Sequence, residues 1–181
     1  MTIIPFQLNI PSKDETTKSS LLATYYTLEE QIELLNAQIQ AKEEKLQALS
    51  EAIRATKKGG VLFCAYCMGD ASVLLYGFVD GEIHNIINKC MLDPVTFKTF
   101  SKPWDLFELH RKEDIDALRS NFAVTQLHFL ATDGYANHMR QTLGEMDEDT
   151  FQLFLRYHFA TCERLDMLGY SNHTLDVFRK D

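Results

Sequence analysis

The chain has 181 residues, of which 45% are apolar and 24% charged, a balance typical of a folded protein rather than a disordered one. Its 18 basic and 26 acidic residues give a net charge of -8, which argues against direct nucleic-acid binding and against docking on an anionic membrane. No apolar run has the length of a membrane span, and the N-terminus lacks the pattern of a secretory signal. We therefore expect a cytoplasmic protein.

The four cysteines are too few for a disulfide scaffold, so we expect them to be thiols in a reducing compartment. Cys64 and Cys67 have the spacing of a redox or zinc motif, but both fall within an apolar run of strand length rather than at the start of a helix. No second CxxC and no HExxH accompanies them. The sequence therefore favours structural cysteines and predicts no metal site.

A long helix is predicted from about residue 17 to residue 56. Nine of the ten a and d positions in its heptad pattern are apolar or aromatic, and the tenth is Lys42. In chain order the ten are Leu21, Tyr25, Leu28, Ile32, Leu35, Ile39, Lys42, Leu46, Leu49 and Ile53. A heptad of this length is typical of a coiled coil or a helical hairpin arm, although a single helix packed on its own domain remains an alternative. A break at Lys42 is compatible with the pattern. Lys57, Lys58, Gly59 and Gly60 end the helix.

The second part of the chain predicts an α/β fold. We expect three strands, at 61–67, 124–132 and 172–179, and the first reads as buried on both faces. Short helices are expected at 71–78, 83–90, 112–121 and 135–143, and a short strand at 106–110. Asp147 is expected to cap a stronger helix. Its buried stripe would comprise Phe151, Phe154, Leu155, Phe159 and Cys162.

Several motifs in residues 45–180 resemble the C-terminal half of class I S-adenosylmethionine-dependent methyltransferases. They are Lys57-Lys-Gly-Gly60 before the first strand, Ala131-Thr-Asp-Gly134, His138-Met-Arg140, Met146-Asp147, Tyr157-His158, Cys162-Glu-Arg164 and Ser171-Asn-His-Thr-Leu-Asp-Val-Phe-Arg-Lys180. The resemblance implies a Rossmann-like sheet, of which the three predicted strands are the last three. The final strand would be inserted antiparallel between the other two.

The resemblance also implies S-adenosylmethionine as the cofactor and a small molecule as the methyl acceptor. However, the sequence contains no GxGxxG, and it lacks the strands that the family has before this region. The cofactor-binding half is missing, so we expect no activity from the chain alone and assign no catalytic residue. The candidate substrate-binding residues are Tyr66, Tyr135, His138, Arg140, Tyr157 and His158.

Residues 3–44 resemble a different family. Ile4-Pro-Phe-Gln-Leu-Asn-Ile-Pro-Ser-Lys-Asp-Glu15 and Gln31-Ile-Glu-Leu-Leu-Asn36-Ala-Gln-Ile-Gln40 are similar to the end of a recognition domain of type I restriction specificity subunits and its coiled-coil helix. The expected organisation is therefore an extended segment plus helix over 1–44 and a methyltransferase-like half domain over 45–181.

Three hypotheses follow. The chain is a methyltransferase or its remnant, an interaction module that pairs with itself or with a partner helix through residues 17–56, or a fragment with an unpaired strand edge.

Overall fold

A computed structural model describes residues 15–101 and 107–181, and the predicted extended segment before residue 15 lies outside these ranges. The chain divides into two compact units, Met1–Glu43 and Glu44–Asp181. Among the described residues, no helix is both long and apolar enough to cross a membrane.

Helix α1 spans Glu15–Ala55, which confirms the predicted long helix, and it continues through Lys42 without a break. Gly59 ends the following turn with a φ of +76°, a left-handed conformation that a residue without Cβ adopts at little cost. The ammonium group of Lys180 donates hydrogen bonds to the carbonyl oxygens of Ile53 and Thr56, at 2.8 and 2.9 Å. These bonds satisfy carbonyl groups that the last turn of a helix leaves without partners.

A four-stranded mixed sheet forms the centre of the second unit. Three long strands confirm the predicted ones: β1 (Val61–Met68), β3 (Val124–Ala131) and β4 (His173–Lys180). The short β2 (Leu109–His110) pairs in parallel with the end of β1. The strand order is β2-β1-β4-β3, and β4 runs antiparallel to both of its neighbours. The last strand therefore lies between the two earlier long strands, as expected.

Short helices connect the strands close to the predicted positions. In chain order they are α2 (Gly69–Ser72), a π-helical segment (Val73–Val79), α3 (Ile83–Asn88), α4 (Lys112–Arg119), a 3-10 turn (Ala136–Met139), α5 (Arg140–Gly144), α6 (Glu148–Thr161) and a second 3-10 segment (Leu165–Tyr170). Asp147 caps α6, as predicted, since its carboxylate accepts the backbone N–H of Thr150 at 2.8 Å.

Two apolar clusters form the core of the second unit on one face of the sheet. The first joins Leu49 of α1 to Leu62 of β1 and Phe178 of β4, and the second centres on Met68, Ile115, Phe129 and Ala131. Ile115 of α4 is almost completely buried in the second cluster.

Two burial predictions are wrong. β1 is not buried on both faces, because Phe63 is 69% exposed on the face that points away from the two clusters. Phe159 is not part of a buried stripe on α6 either, because it is 73% exposed and none of the residues of α6 is fully buried. Both predictions were based on apolar character alone. Apolar character does not show which face of a strand or helix is covered by the rest of the protein.

Candidate functional site

Polar side chains gather where β1 ends and β4 begins. The loop after β3 and the segment that leads into β4 meet there: the N–H of Met68 donates to the carbonyl of Asn172 at 2.8 Å, and that of Thr132 to the carbonyl of His173 at 3.1 Å. The carboxyl ends of parallel strands lie at this edge of the sheet, since β2 pairs in parallel with Cys67 and Met68. Ligands of open α/β sheets bind outside the carboxyl ends of such strands.

Asp133 is the centre of this polar cluster. One carboxylate oxygen accepts the backbone N–H of His173 at 3.1 Å and contacts the hydroxyl group of Ser171. The other oxygen lies 2.9 Å from Nδ1 of His173 and accepts a hydrogen bond from the side-chain amide of Asn137. A carboxylate with this many partners is held in one orientation, and it holds the groups around it in turn.

Ser171 and Asn172 anchor the cluster in the protein interior, where both are buried. The Ser171 hydroxyl oxygen accepts the N–H of Gly134 at 3.0 Å. The Asn172 amide donates to the hydroxyl oxygen of Ser72 at 3.3 Å, and that hydroxyl donates to the carbonyl of Met68 at 2.8 Å. Buried polar groups need such partners, so this network fixes how the two loops meet.

Gly134 lets the loop after β3 approach α6. Its φ is +50°, and a Cβ placed there would lie 3.1 Å from Nδ1 of His158. The His158 ring stacks on Phe154 with the ring centroids 6.3 Å apart and the ring planes 20° apart. A side chain at position 134 would therefore be disfavoured for two reasons, the left-handed backbone conformation and the contact with the His158 ring.

Three aromatic rings lie beside the polar cluster. Tyr135 packs against His138 and Tyr170, with ring centroids 5.1 and 5.0 Å away. Nε2 of His138 is buried and has no hydrogen-bond partner within the described ranges. A buried ring nitrogen without a partner costs free energy, so this atom marks a position where a ligand group would gain a hydrogen bond.

The structure brings together four of the six predicted substrate residues. Tyr135, His138 and His158 surround Gly134 and the turn that follows, and the guanidinium group of Arg140 donates to the side-chain oxygen of Asn137 at 2.9 Å.

The other two predicted residues lie elsewhere. Tyr157 is exposed on α6, and Tyr66 packs on the core face of β1, edge-to-face with His110 at 5.4 Å. Burial raises the pKa of the Tyr66 phenol, and the nearby Cys64 and Asp176 raise it further.

Sequence reasoning missed the residues that hold the cluster together. They are Asp133, Asn137, Ser171, Asn172 and His173. A signal was present, since polar residues follow directly after β3 and directly precede β4. Polar side chains at strand ends are the usual positions for binding and catalytic groups in α/β proteins.

The Asp133–His173 pair is a carboxylate–imidazole contact, with Oδ2 of Asp133 2.9 Å from Nδ1 of His173. A carboxylate that accepts the Nδ1–H of a histidine orients the ring and leaves Nε2 as a proton acceptor. The His173 side chain is 57% exposed, so a ligand at the surface can reach it.

Cys67 lies opposite His173 in the β1–β4 register, which places both side chains on the same face of the sheet. Burial and the charge of Asp133 raise the pKa of the Cys67 thiol. A raised pKa keeps the sulfur protonated and makes it a poor nucleophile. The pKa of the Cys64 thiol is raised as well, by burial and by Asp176. The geometry therefore supports proton transfer by His173 rather than thiolate chemistry.

A second charged cluster, at the centre of β4, is a structural one. The fully buried Asp176 pairs with a guanidinium nitrogen of Arg119 at 2.5 Å and accepts the amide of Gln126 at 2.7 Å. Arg119 also pairs with Asp116 at 2.8 Å. Burial alone would lower the pKa of Arg119, but its bonds to the two carboxylates raise it. Arg119 and the two carboxylates are thus paired with groups of opposite charge, so this cluster offers no unpaired charge to a ligand.

Within the described ranges, no group of three or more His, Cys, Asp or Glu side chains is arranged to hold a metal ion. No protein-family model matches the chain, and no curated protein matches it significantly.

Proposed function

We propose that residues 45–181 are the acceptor-binding half of a class I S-adenosylmethionine-dependent methyltransferase fold. The observation that carries the proposal is the strand arrangement, in which β4 runs antiparallel between β1 and β3. The family that the sequence motifs resemble has this arrangement at the end of its sheet. The polar cluster at the carboxyl end of β1 supports the same assignment, since Asp133, Ser171, Asn172 and His173 come from those motifs.

The sequence contains no GxGxxG motif, the glycine-rich turn that binds the cofactor in that family. Gly69, which directly follows β1, does not offer an open backbone in its place. A Cβ at Gly69 would clash with the hydroxyl oxygen of Thr99, so the chain itself occupies that space. We therefore expect that the chain does not bind S-adenosylmethionine by itself and is inactive alone.

The acceptor site is proposed to lie between His138 and His173. The unpaired Nε2 of His138 would hydrogen-bond to a small polar acceptor, and the rings of Tyr135 and Tyr170 would cover its apolar part. Nε2 of His173 would take a proton from an acceptor O–H or N–H. Asp133 would stabilise the imidazolium ion that forms.

Histidine side-chain NMR tests the acceptor site in the full chain. We would titrate phenols, thiols and heteroaromatic amines separately, with His84 as the internal control because it lies on α3, outside the cluster. At least one class should shift the His138 and His173 signals saturably and leave the His84 signal unchanged. Shifts of all three signals, or of none with any class, would contradict the acceptor site.

Calorimetric titration with S-adenosylhomocysteine tests the cofactor expectation separately. A folded sample should give no binding heat at high micromolar ligand. Saturable one-to-one binding would show that the chain forms the cofactor site, which would overturn the proposed inactivity.

A second candidate function is an interaction module built on α1, related to type I restriction specificity subunits. The observation that favours it is an apolar heptad stripe that is solvent-exposed over residues 28–39. If another helix covers this stripe in solution, the backbone amides of 28–39 should exchange hydrogen as slowly as those around Leu49 and Ile53, whose side chains lie in the apolar cluster with Leu62 and Phe178. Fast exchange at 28–39 alone in the purified chain would contradict this candidate.

A further inference from the structure

Arg140 carries a positive charge that the structure orients but does not neutralise. Its Nε and Nη2 both donate to the side-chain oxygen of Asn137, at 3.2 and 2.9 Å. A guanidinium group usually pairs with a carboxylate, because its planar fork of N–H donors matches the two oxygens. Four other arginines of the described residues do so: Arg54, Arg111, Arg119 and Arg164. Within the described ranges, Arg140 has no such partner.

The network that holds His173 also fixes the position of Arg140. Nδ2 of Asn137 donates to Oδ2 of Asp133, the oxygen that also contacts Nδ1 of His173. The same Nδ2 lies 3.3 Å from the side-chain oxygen of the buried Asn172. Both contacts require the amide nitrogen on that side, so the Asn137 oxygen is turned towards Arg140. An arginine that is held in this way loses less conformational entropy when it binds a ligand.

The remaining edge of the guanidinium group suits a carboxylate. Asn137 occupies the edge formed by Nε and Nη2, whereas Nη1 makes no hydrogen bond to any described residue. Nη1 and the second N–H of Nη2 form the other edge, which can donate two parallel bonds to one carboxylate. A phosphate monoester carries a charge of about −1.5 to −2. Among the described residues that this network joins, Arg140 is the one permanent cation, so its charge matches a carboxylate better.

A second group beside Arg140 also lacks a partner. His138 belongs to the same turn as Asn137 (Ala136–Met139), and its buried Nε2 has no hydrogen-bond partner in the described part of the chain. An oriented charge without a counterion and a buried polar atom without a partner are thus two residues apart in the sequence. Arg156 on α6 is exposed as well, but no described side chain orients its guanidinium group.

We infer that Arg140 binds a carboxylate group of the methyl acceptor, which makes the acceptor a small organic acid with a separate O–H or N–H group. This inference rests on the proposed acceptor site and names the class of its ligand. Oδ2 of Asp133 contacts both Asn137 and His173, so one network joins the groups that hold the carboxylate and the reacting atom. The chain has a net charge of -8 and repels anions as a whole, so binding of an acid depends on this cation.

Matched acids and amides test the inference in the full chain. The probes are the meta and para isomers of hydroxybenzoate and aminobenzoate, each compared with its neutral amide, and the His138 and His173 NMR signals give the dissociation constants. At least one acid should bind about 10-fold or more tightly than its amide, because charge-assisted hydrogen bonds are about twice as strong as neutral ones. Arg140→Gln should reduce this ratio to about one. Arg140→Lys should leave an intermediate ratio, since an ammonium group keeps the charge but not the planar fork.

Arg156→Gln is the matched control. It removes the same charge from an exposed arginine without an ion-pair partner among the described residues, so it should leave the ratio within about twofold of the parent value. Arg140 is also exposed, and substitutions at exposed positions usually change stability by less than about 0.5 kcal/mol, so both variants should fold.

The other outcomes separate this inference from the proposed function. Equal binding of acids and amides, or binding of simple phenols and amines but not of the acids, would overturn the carboxylate and leave the acceptor site standing. A preference for the acid that Arg140→Gln leaves intact would overturn Arg140 as the binding group. A preference that Arg156→Gln abolishes as well would show an effect of overall charge and overturn the specific contact. No binding of any of these compounds would overturn the acceptor site and the inference with it.

Discussion

The two ends of β4 are packed in opposite ways. At the carboxyl end, Phe178 is fully buried among apolar side chains from α1 and β1. At the amino end, His173 contacts Asp133, and the buried Ser171 and Asn172 precede it. Apolar packing is non-directional, whereas each hydrogen bond at the polar end fixes a distance and an angle. We therefore expect substitutions at the apolar end to act mainly on stability and those at the polar end mainly on loop geometry.

Phe178→Ala should have the largest effect on stability. The ring is fully buried, so its removal should lower the free energy of unfolding by about 3–5 kcal/mol. Urea unfolding followed by circular dichroism measures this. Phe63→Ala is the matched control, because Phe63 lies on β1 with its ring mostly exposed, and it should cost less than about 1 kcal/mol. A similar cost for both variants would show that the exposed face of β1 is covered in solution.

Asp176→Ala should have the next largest effect. It leaves the partly buried Arg119 without its buried partner, and breaking a buried ion pair in this way costs about 3 kcal/mol. Asp116→Ala removes the other carboxylate that binds Arg119, but this group is 40% exposed and should cost about 1 kcal/mol or less. Thermal and urea unfolding measure the free energy of unfolding of both variants. An equal loss in the two would show that the buried carboxylate of Asp176 stabilises the fold no more than the exposed one of Asp116.

The apolar end of β4 could be predicted from the sequence, whereas the polar end could not. Helix α1 and strand β4 carry repeating patterns, with periods near 3.5 and 2, that identify helix and strand. Asp133 and His173 are 40 residues apart and belong to no repeating pattern. Only the antiparallel pairing of β3 with β4 brings them into contact. The motifs did point to the neighbouring His138 and His158, but through a resemblance rather than through geometry.

The errors of the sequence analysis have one physical source. Phe63 and Phe159 are as apolar as Phe178, yet both are exposed. Apolar character predicts that a side chain gains free energy from burial, but whether another element covers it depends on tertiary structure. The pattern along α1 illustrates the same limit, since Leu35 and Leu49 occupy equivalent heptad positions and only Leu49 is buried.

Gly134→Ala should have a smaller effect that is confined to the polar end. The positive φ disfavours any residue with a Cβ, and the new methyl group would press on the His158 ring, so we expect a loss of about 1–2 kcal/mol. Gly144→Ala is the control, because its Cβ would meet nothing within 4 Å and its φ is not positive. Adding His158→Ala should recover part of the loss in a double-mutant cycle. If the stability losses of Gly134→Ala and His158→Ala add exactly in the double variant, the loop after β3 does not press on His158 of α6.

The smallest effect concerns alkaline pH. Burial raises the pKa of the Tyr66 phenol from its ordinary value of 10.0, so above about pH 10 the unfolded chain releases this proton more readily than the folded protein. The unfolded state then binds fewer protons, and the free energy of unfolding must fall as the pH rises further. Below the ordinary value, both states keep the proton and Tyr66 contributes no pH dependence.

The urea concentration at the midpoint of unfolding, measured between pH 8 and pH 11, should therefore decline at the upper end of this range. Tyr66→Phe should reduce the decline, whereas Tyr157→Phe, at an exposed position, should not. If both variants reduce it equally, burial of Tyr66 on the core face of β1 is not its cause.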